Sequence, residues 1–195
     1  MMGVHKSSYQ NPAGWSNAFR KENPFFRIVM SQAPFRVLFV CLGNICRSPA
    51  AEIVCRAALR EAGLADRVRV DSCGTASYHV GSRPDSRMIA ALERAGYEYD
   101  GHRARVFCRE DGSRFDLIIP QDLENMQDVL ATLPPQHAAE VQPMSHWFPA
   151  GVRYREVPDP YYGAAADFDE VVELLRGSMA QLVAELADKM NTGKM

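Results

Sequence analysis

The sequence predicts an α/β fold, in which a parallel sheet carries helices on both faces. Short apolar runs rich in β-branched residues alternate with segments whose apolar residues recur at helical spacing. The first run is apolar nearly throughout, as expected for a strand that is buried on both faces. A length of 195 residues with 47% apolar residues suits one globular domain with a sizeable core.

The first part of the predicted sheet consists of two strands and the helix between them. Arg36–Leu42 is a short apolar run that predicts the first strand. Ser48 is predicted as the N-cap of a helix and Pro49 as its first residue, and Gly63 closes that helix. Val68–Ser72 predicts the second strand.

The rest of the chain continues the alternation of strands and helices. The further predicted helices are residues 84–96, a segment capped by Asp122, and residues 168–189. The further predicted strands are Phe115–Ile119 and, more weakly, Glu140–Met144. Ligands in such sheets bind beyond the carboxyl ends of the strands, so the loop after the first strand is the first candidate site.

Charge, hydropathy and cysteine use exclude several classes of protein. A net charge of −2 provides no general basic field for nucleic acid or an anionic membrane. No apolar run approaches the length of about 18 residues that a membrane span needs. Five cysteines without a Cys-x2-Cys pair indicate neither a secreted disulfide scaffold nor a structural zinc site. We therefore expect a soluble, cytoplasmic protein whose thiols stay reduced.

Residues 1–34 differ in composition from the rest of the chain. They contain Gly, Pro and Ser without a periodic apolar pattern, and their charge of +3 leaves −5 for the remainder. They lack the apolar segment of a secretory signal. We expect a disordered extension or a mis-assigned start ahead of Met30, with a targeting role as the alternative. The globular domain is then expected over residues 35–190, with a short tail over residues 191–195.

The loop after the first strand has the residues of a phosphate-binding loop that contains a nucleophile. It reads CLGNICR over residues 41–47, here called the phosphate loop, and lies between a strand and a helix. Backbone N–H groups at a helix N-terminus converge on an anion, and the planar fork of Arg47 can hold two phosphoryl oxygens. The same arginine and helix terminus favour the thiolate of Cys41, which would then attack phosphorus.

The Cys-x5-Arg spacing can arise by chance, and Cys41 can have a purely structural role. The same Cys-x5-Arg spacing occurs by chance from Cys108 to Arg114, where Glu110 and Asp111 would repel a phosphate. For Cys41, a buried cysteine at the end of a strand is the alternative. The Gly-Asn pair, the arginine and the Ser-Pro helix start favour the nucleophile.

Release of the leaving oxygen needs a proton donor. Among 24 acidic residues, Asp159 stands out because it lies between two prolines in VPDPYYG, residues 157–163. The prolines restrict its backbone, and the adjacent Tyr161 and Tyr162 could wall an aromatic pocket. A turn in which Asp159 is only a turn former is the alternative, and residue types alone leave the choice open.

Together, VCLGNICRSP at residues 40–49 and DPYYG at residues 159–163 resemble the low-molecular-weight protein tyrosine phosphatase family. The resemblance covers residues 35–190. It implies a three-layer α/β fold whose four-stranded parallel sheet has flavodoxin-like order, with no metal or cofactor. It also implies a cysteine-dependent phosphoric monoester hydrolase, a protein tyrosine phosphatase that acts on phosphotyrosine and small aryl phosphates through a phosphocysteine intermediate.

The resemblance assigns roles to individual residues. It implies that Cys41 is the nucleophile, Arg47 the phosphate clamp, and Asp159 the general acid and then the base. The implied phosphate-binding residues are Leu42, Gly43, Asn44, Ile45, Cys46 and Arg47. The implied supporting residues, which stabilise the thiolate and hold the loop, are Ser48, Asn44, Ser72 and His102. The implied substrate pocket consists of Leu42, Tyr78, Tyr161 and Tyr162.

The resemblance also implies regulation and partners. Cys46 would pair with Cys41 under oxidation and protect it from irreversible oxidation, with a small buried loop residue as the alternative. Tyr161 and Tyr162 are candidate phosphorylation sites. The implied partners are phosphotyrosine-containing proteins and a cognate tyrosine kinase, without nucleic acid or membrane, for a monomer or weak dimer.

Two other activities occur on this scaffold, so the choice between them depends on the site. Arsenate reductases of this fold need further cysteines in a later segment, where this chain has Cys108 alone. Protein-arginine phosphatases typically carry Thr at the position of Ile45 and lack the tyrosine pair after Asp-Pro. Ile45 and the two tyrosines therefore favour an aromatic phosphate.

Overall fold

The computed structural model describes residues 33–99 and 101–192. The strands are β1 (Phe35–Cys41), β2 (Val68–Gly74), β3 (Leu117–Pro120) and β4 (Glu140–Val141). The helices are α1 (Arg47–Glu61), α2 (Ser86–Arg94), α3 (Asp111–Arg114), α4 (Leu123–Thr132) and α5 (Ala165–Thr192), with a 3-10 turn at Met144–Trp147. Residues 1–32 of the predicted extension and residues 193–195 of the predicted tail lie outside the described residues, whereas residues 191–192 of that tail belong to α5.

The four strands form one parallel sheet in the order β2-β1-β3-β4. This confirms the predicted α/β fold with flavodoxin-like strand order. The central strand β1 pairs with β2 along its whole length, from Phe35 opposite Val68 to Cys41 opposite Gly74. The carboxyl ends of β1 and β2 therefore lie side by side, and the loops that follow them leave the sheet at the same edge.

Both faces of the sheet are covered, which explains why β1 is apolar nearly throughout. Alternate residues of a strand point to opposite faces. Val37 and Phe39 pack in the larger apolar cluster, together with residues of α1, α2 and α5. Leu38 and Val40 pack in a smaller cluster on the other face, with Val129 of α4.

The start of α1 differs from the prediction that Ser48 is its N-cap. The helix begins at Arg47, and Cys46 precedes it without a capping side chain. Ser48 is instead the second residue of the helix, because its hydroxyl is used in the buried site beside Cys41. Pro49 still lies in the first turn, where its missing N–H leaves no intrahelical hydrogen bond unmade.

Other boundaries shift by a few residues. The last helix was predicted over residues 168–189 and extends further at both ends, whereas β4 has only two residues of the predicted Glu140–Met144. The short helix α3 was not predicted. The predicted cap of α4 is confirmed, because the Asp122 side chain accepts the N–H of Asn125 at 2.7 Å. None of the described helices has the length and apolar character needed to cross a membrane.

Candidate active site

The phosphate loop curls tightly between β1 and α1, and Gly74 at the end of β2 makes this possible. A Cβ atom at Gly74 would lie 2.6 Å from the carbonyl oxygen of Leu42 and 3.0 Å from the backbone nitrogen of Asn44. Only glycine allows such a close approach of two backbones. The N–H of Thr75 also donates to the Cys41 carbonyl at 2.8 Å, which attaches the loop to the segment after β2.

The Cys41 sulfur lies at the foot of the loop with two potential donors around it. The backbone N–H of Asn44 points at Sγ from 3.3 Å, and the Ser48 hydroxyl lies 3.0 Å away. The Ser48 hydroxyl has one proton, and it can instead donate a hydrogen bond to the Cys73 carbonyl at 3.1 Å. A thiolate would draw that proton to sulfur, because a hydrogen bond to an ionised acceptor is the stronger of the two.

Asn44 holds the shape of the loop. Its backbone is left-handed, with φ of 54°, a conformation that is strained for residues other than glycine. The backbone N–H of Arg105 donates to Oδ1 at 2.9 Å, which fixes the orientation of the amide. Nδ2 therefore faces the hydroxyl oxygens of Ser48 and Ser72, both at 2.9 Å. The predicted supporting residues thus lie around one buried amide.

A buried carboxylate, Glu52, closes this network into a ring. It accepts the Ser72 hydroxyl at 2.6 Å, and the same oxygen lies 3.3 Å from Nδ1 of His102. Nε2 of His102 lies 3.1 Å from Oδ1 of Asn44, which is also an acceptor. Both ring nitrogens therefore lie against oxygen atoms of the network, Nδ1 against Glu52 and Nε2 against Asn44.

Glu52 was missed by the sequence analysis, although a signal was present. It lies four residues after Ser48 on α1, and side chains at that spacing share one helix face. An acidic residue on the helix face that also carries a loop-supporting serine is a candidate for a buried network. Its exposed fraction is only 2%.

Arg47 is buried and joins the loop to two carboxylates from distant parts of the chain. One terminal nitrogen, Nη1, donates to Asp122 and the other, Nη2, donates to Asp159 at 2.7 Å. Burial disfavours its charged form, but Cys41, Asp159 and Asp122 outweigh that effect and raise the pKa of Arg47. Asp122 was predicted only as a helix cap. Its second carboxylate oxygen accepts a hydrogen bond from Arg47, a contact that the sequence analysis missed.

Asp159 lies in the segment over residues 157–163, here called the acid loop. Its side chain is 43% exposed and accepts the N–H of Tyr161 at 3.1 Å, so Asp159 is a turn former as well as a partner of Arg47. The rings of Tyr161 and Tyr162 lie edge to face, with centroids 5.0 Å apart. Asp159 therefore forms the turn through Oδ1 and pairs with Arg47 through Oδ2, and its role as a proton donor stays a prediction.

These residues surround one cavity of about 370 Å³. It is lined by Cys41, Leu42, Gly43, Ile45, Cys46, Arg47, Tyr78, His79, Asp159, Tyr161 and Tyr162. Tyr78 and Tyr162 form its exposed rim. His79 is an additional wall residue that was not predicted. The supporting residues Asn44, Ser48, Ser72 and His102 lie behind the loop and do not line the cavity.

Cys46 lines the same cavity as Cys41, and all five cysteines of the described chain are free thiols. Burial raises the pKa of Cys46 far above its ordinary value, with smaller effects of the same sign from Asp85 and Cys41. Burial also raises the pKa of Cys55 to about 12. The protonated thiol is therefore the resting form of both residues at neutral pH.

A thiol, a guanidinium and a carboxylate thus line one cavity at a helix N-terminus, an arrangement that can accept a tetrahedral anion. The family model described as low molecular weight phosphotyrosine protein phosphatase matches residues 36–192. A low molecular weight protein-tyrosine-phosphatase of Streptomyces coelicolor is 39% identical over 158 residues, or 80% of this chain and 96% of the relative. YfkJ of Bacillus subtilis, also named as a low molecular weight protein-tyrosine-phosphatase, is 35% identical over 150 residues, 77% and 94% of the two chains.

Solved structures agree with the sequence relatives. A protein tyrosine phosphatase from Entamoeba histolytica, crystallised with Hepes in its active site, superposes with a TM-score of 0.75 at 36% identity. The match covers 83% of this chain and 99% of that one. The chain therefore belongs to the low-molecular-weight phosphotyrosine protein phosphatase family and is a hydrolase.

Proposed function

We propose that the chain hydrolyses phosphotyrosine in proteins, and small aryl phosphates, through a phosphocysteine intermediate. The observation that carries the proposal is the position of Arg47, which lies 2.7 Å from Asp159 in the cavity that Cys41 also lines. Nucleophile, anion-binding group and proton donor thus meet in one cavity. Membership of the family supports the same activity.

The first step transfers the phosphoryl group to sulfur. The thiolate of Cys41 attacks phosphorus in line, and an S–P bond forms while the bond from phosphorus to the phenolic oxygen breaks. Asp159 donates its proton to that oxygen, so the tyrosine leaves as a neutral phenol. Arg47 and the loop N–H groups hold the non-bridging oxygens and stabilise their charge.

Arg47 must change partners during this step. Nη2 of Arg47 donates to Asp159 at 2.7 Å. Phosphoryl oxygens replace that carboxylate on binding, and the freed carboxyl turns toward the leaving oxygen. Asp122 remains on Nη1 and keeps the guanidinium oriented.

The second step regenerates the enzyme. Asp159, now a carboxylate, takes a proton from a water molecule whose oxygen attacks phosphorus. The S–P bond breaks, Cys41 leaves as a thiolate, and inorganic phosphate is released. The Ser48 hydroxyl and the Asn44 N–H stabilise the departing sulfur from 3.0 and 3.3 Å.

The walls of the cavity favour an aromatic phosphate. Tyr78, Tyr161 and Tyr162 offer ring faces and edges to a phenyl group, and Ile45 adds an apolar contact deeper in the cavity. A guanidinium-linked phosphate would find no polar partner at Ile45. We therefore propose phosphotyrosine as the substrate in preference to phosphoarginine.

We further propose that Cys46 protects Cys41 under oxidation. Oxidation of Cys41 to a sulfenic acid would allow the Cys46 sulfur to attack it, which releases water and forms a reversible disulfide. Support comes from the position of both thiols on one cavity. Mass spectrometry after treatment with hydrogen peroxide should show that disulfide, and Cys46→Ser should instead accumulate irreversibly oxidised Cys41.

The proposal is tested by hydrolysis of 4-nitrophenyl phosphate without added metal. Cys41→Ser should abolish turnover, and Asp159→Asn should slow phosphocysteine formation most for poor leaving groups. Full activity in Cys41→Ser would refute the proposal. Phosphotyrosine and phosphoarginine peptides should then be compared directly, and a clear preference for phosphoarginine would refute the interpretation of Ile45.

A further inference from the structure

Arg87, near the start of α2, contacts three separate parts of the molecule. Its guanidinium donates to both carboxylate oxygens of Asp85, with Nη2–Oδ2 at 2.7 Å and Nε–Oδ1 at 3.0 Å. Its Cζ lies 4.6 Å from the ring centroid of Phe168 and 5.6 Å from that of Tyr161. None of these contacts takes part in the proposed transfer of the phosphoryl group to and from Cys41.

Two of the three contacts attach the guanidinium to rigid structure. The N–H of Asp85 donates to the carbonyl of Ile45 in the phosphate loop at 2.8 Å. The Asp85 side chain also caps α2, because it accepts the N–H of Arg87 at 2.8 Å. Phe168 is fully buried in the first turn of α5. The cation is therefore held in place beside the phosphate loop before substrate arrives.

The third contact reaches the acid loop beside Asp159. Arg47 bonds Asp159 at 2.7 Å, and the proposed mechanism exchanges that bond for a phosphoryl group. Just after the loop, the Asp167 side chain accepts the N–H of Ala164 at 2.6 Å, which fixes its far end. The hydrogen bond from the Val157 N–H to the Gln121 carbonyl fixes only the start of the loop. Beyond Asp159, the contact of Tyr161 with Arg87 joins the loop to α2.

We infer that Arg87 is a positioning residue that holds the acid loop over the phosphate loop through the ring of Tyr161, so that Asp159 reaches the leaving oxygen. A guanidinium over an aromatic face is attracted by the ring quadrupole, and the bidentate pair with Asp85 fixes its direction. The inference rests on the proposed function, since it concerns delivery of the proton by Asp159.

The test compares leaving groups. Arg87→Met keeps the apolar stem and removes the cation, and Arg87→Lys restores a cation without the bidentate fork. We expect Arg87→Met to lower kcat/KM for phenyl phosphate by about two- to fivefold more than for 4-nitrophenyl phosphate, because the poorer leaving group depends more on the proton. Arg87→Lys should recover part of that difference.

A double-mutant cycle separates positioning from a general structural effect. In the Asp159→Asn background there is no proton to deliver, so Arg87→Met should cause no further leaving-group-dependent loss. Arg94→Met is the matched control, because Arg94 is also on α2 and bonds Asp169 of α5 at 2.6 Å. It should not change the ratio between the two substrates.

Equal losses on both substrates, a loss that persists in the Asp159→Asn background, or the same change in Arg94→Met would each overturn the inference. Unchanged kinetics in Arg87→Met would overturn it as well. Failure of the proposed function is recognised separately, because it would appear as inactive wild-type protein or as an active Cys41→Ser protein in the same assays.

Discussion

Glu52→Gln is the sharpest perturbation of the network behind the phosphate loop. The change removes the charge of a carboxylate that is 2% exposed and keeps its shape. The carboxylate accepts the Ser72 hydroxyl at 2.6 Å and faces His102 at 3.3 Å. Both partners face Oε2, whereas the other carboxylate oxygen pairs with Arg56. An amide whose oxygen stays on Ser72 and His102 turns its NH2 group toward Arg56, and both remaining bonds lose the charge of their acceptor.

The expected magnitude follows from these contacts. A hydrogen bond to a charged group contributes about 1.5–3 kcal/mol, and an ion pair with a partly exposed partner such as Arg56 contributes about 0–1 kcal/mol. Because the amide keeps part of the network, we expect Glu52→Gln to lower the free energy of unfolding by about 3 kcal/mol. For a domain of this size that corresponds to a fall in Tm of about 6–12 °C. Affinity for phosphate should fall too, since the strained backbone of Asn44 loses support.

Thermal unfolding followed by circular dichroism, with and without inorganic phosphate, measures both effects. Glu61→Gln is the matched control, because Glu61 is the last residue of the same helix and is exposed. That variant should stay within about 0.5 kcal/mol of wild type. If Glu52→Gln has the same Tm and the same response to phosphate as Glu61→Gln, then the hydrogen-bonded network around Glu52 does not support the phosphate loop, and the reasoning is refuted.

Three further predictions concern Arg47, Asp85 and Cys46. Asp122→Asn should lower kcat/KM by about tenfold, because Arg47 loses a charge-assisted bond, and an unchanged value would show that this partner is dispensable. Hydrogen bonds from Arg87 lower the pKa of Asp85 below its ordinary 3.8, so the stability they contribute is present above about pH 4 and is lost as pH falls through the folded pKa. Denaturant unfolding should therefore show a larger stability difference between wild type and Arg87→Met near neutral pH than in acid, and a constant difference would contradict this. Iodoacetamide near pH 7 should leave Cys46 unlabelled, because burial raises its pKa, and rapid labelling of that thiol would contradict the assignment.

The fold could be predicted because its signals are local. The apolar run of β1 reflects burial on both sheet faces, and the cap at Asp122 depends on residues three positions apart. The exact ends of the helices and strands were harder to predict, because they depend on contacts that form only in the folded chain. Ser48 has the residue type of an N-cap, yet its hydroxyl is used beside the Cys41 sulfur, and α1 begins at Arg47.

The candidate site was predictable to the extent that its residues are neighbours in the chain. The phosphate loop lies on one contiguous segment, so its chemistry could be inferred from its residue types and from the strand and helix on either side of it. Asp159 is 112 residues from Arg47. Its place between two prolines made it a candidate, and only the resemblance to a family implied its role as the proton donor. The contact of Asp122 with Arg47 was missed because a helix cap gives no sign of a second partner across the fold. Glu52 was missed although its spacing from Ser48 on one helix face was a signal.

The central claim is that catalysis passes through a covalent phosphoryl group on Cys41. Rapid acid quenching of the enzyme during turnover of 4-nitrophenyl phosphate, followed by peptide mass spectrometry, tests it most directly. We predict that the mass of one phosphoryl group is added to the peptide that contains Cys41, and that Cys41→Ser abolishes this labelling together with turnover. Label on another residue, or steady turnover in Cys41→Ser, would contradict the account.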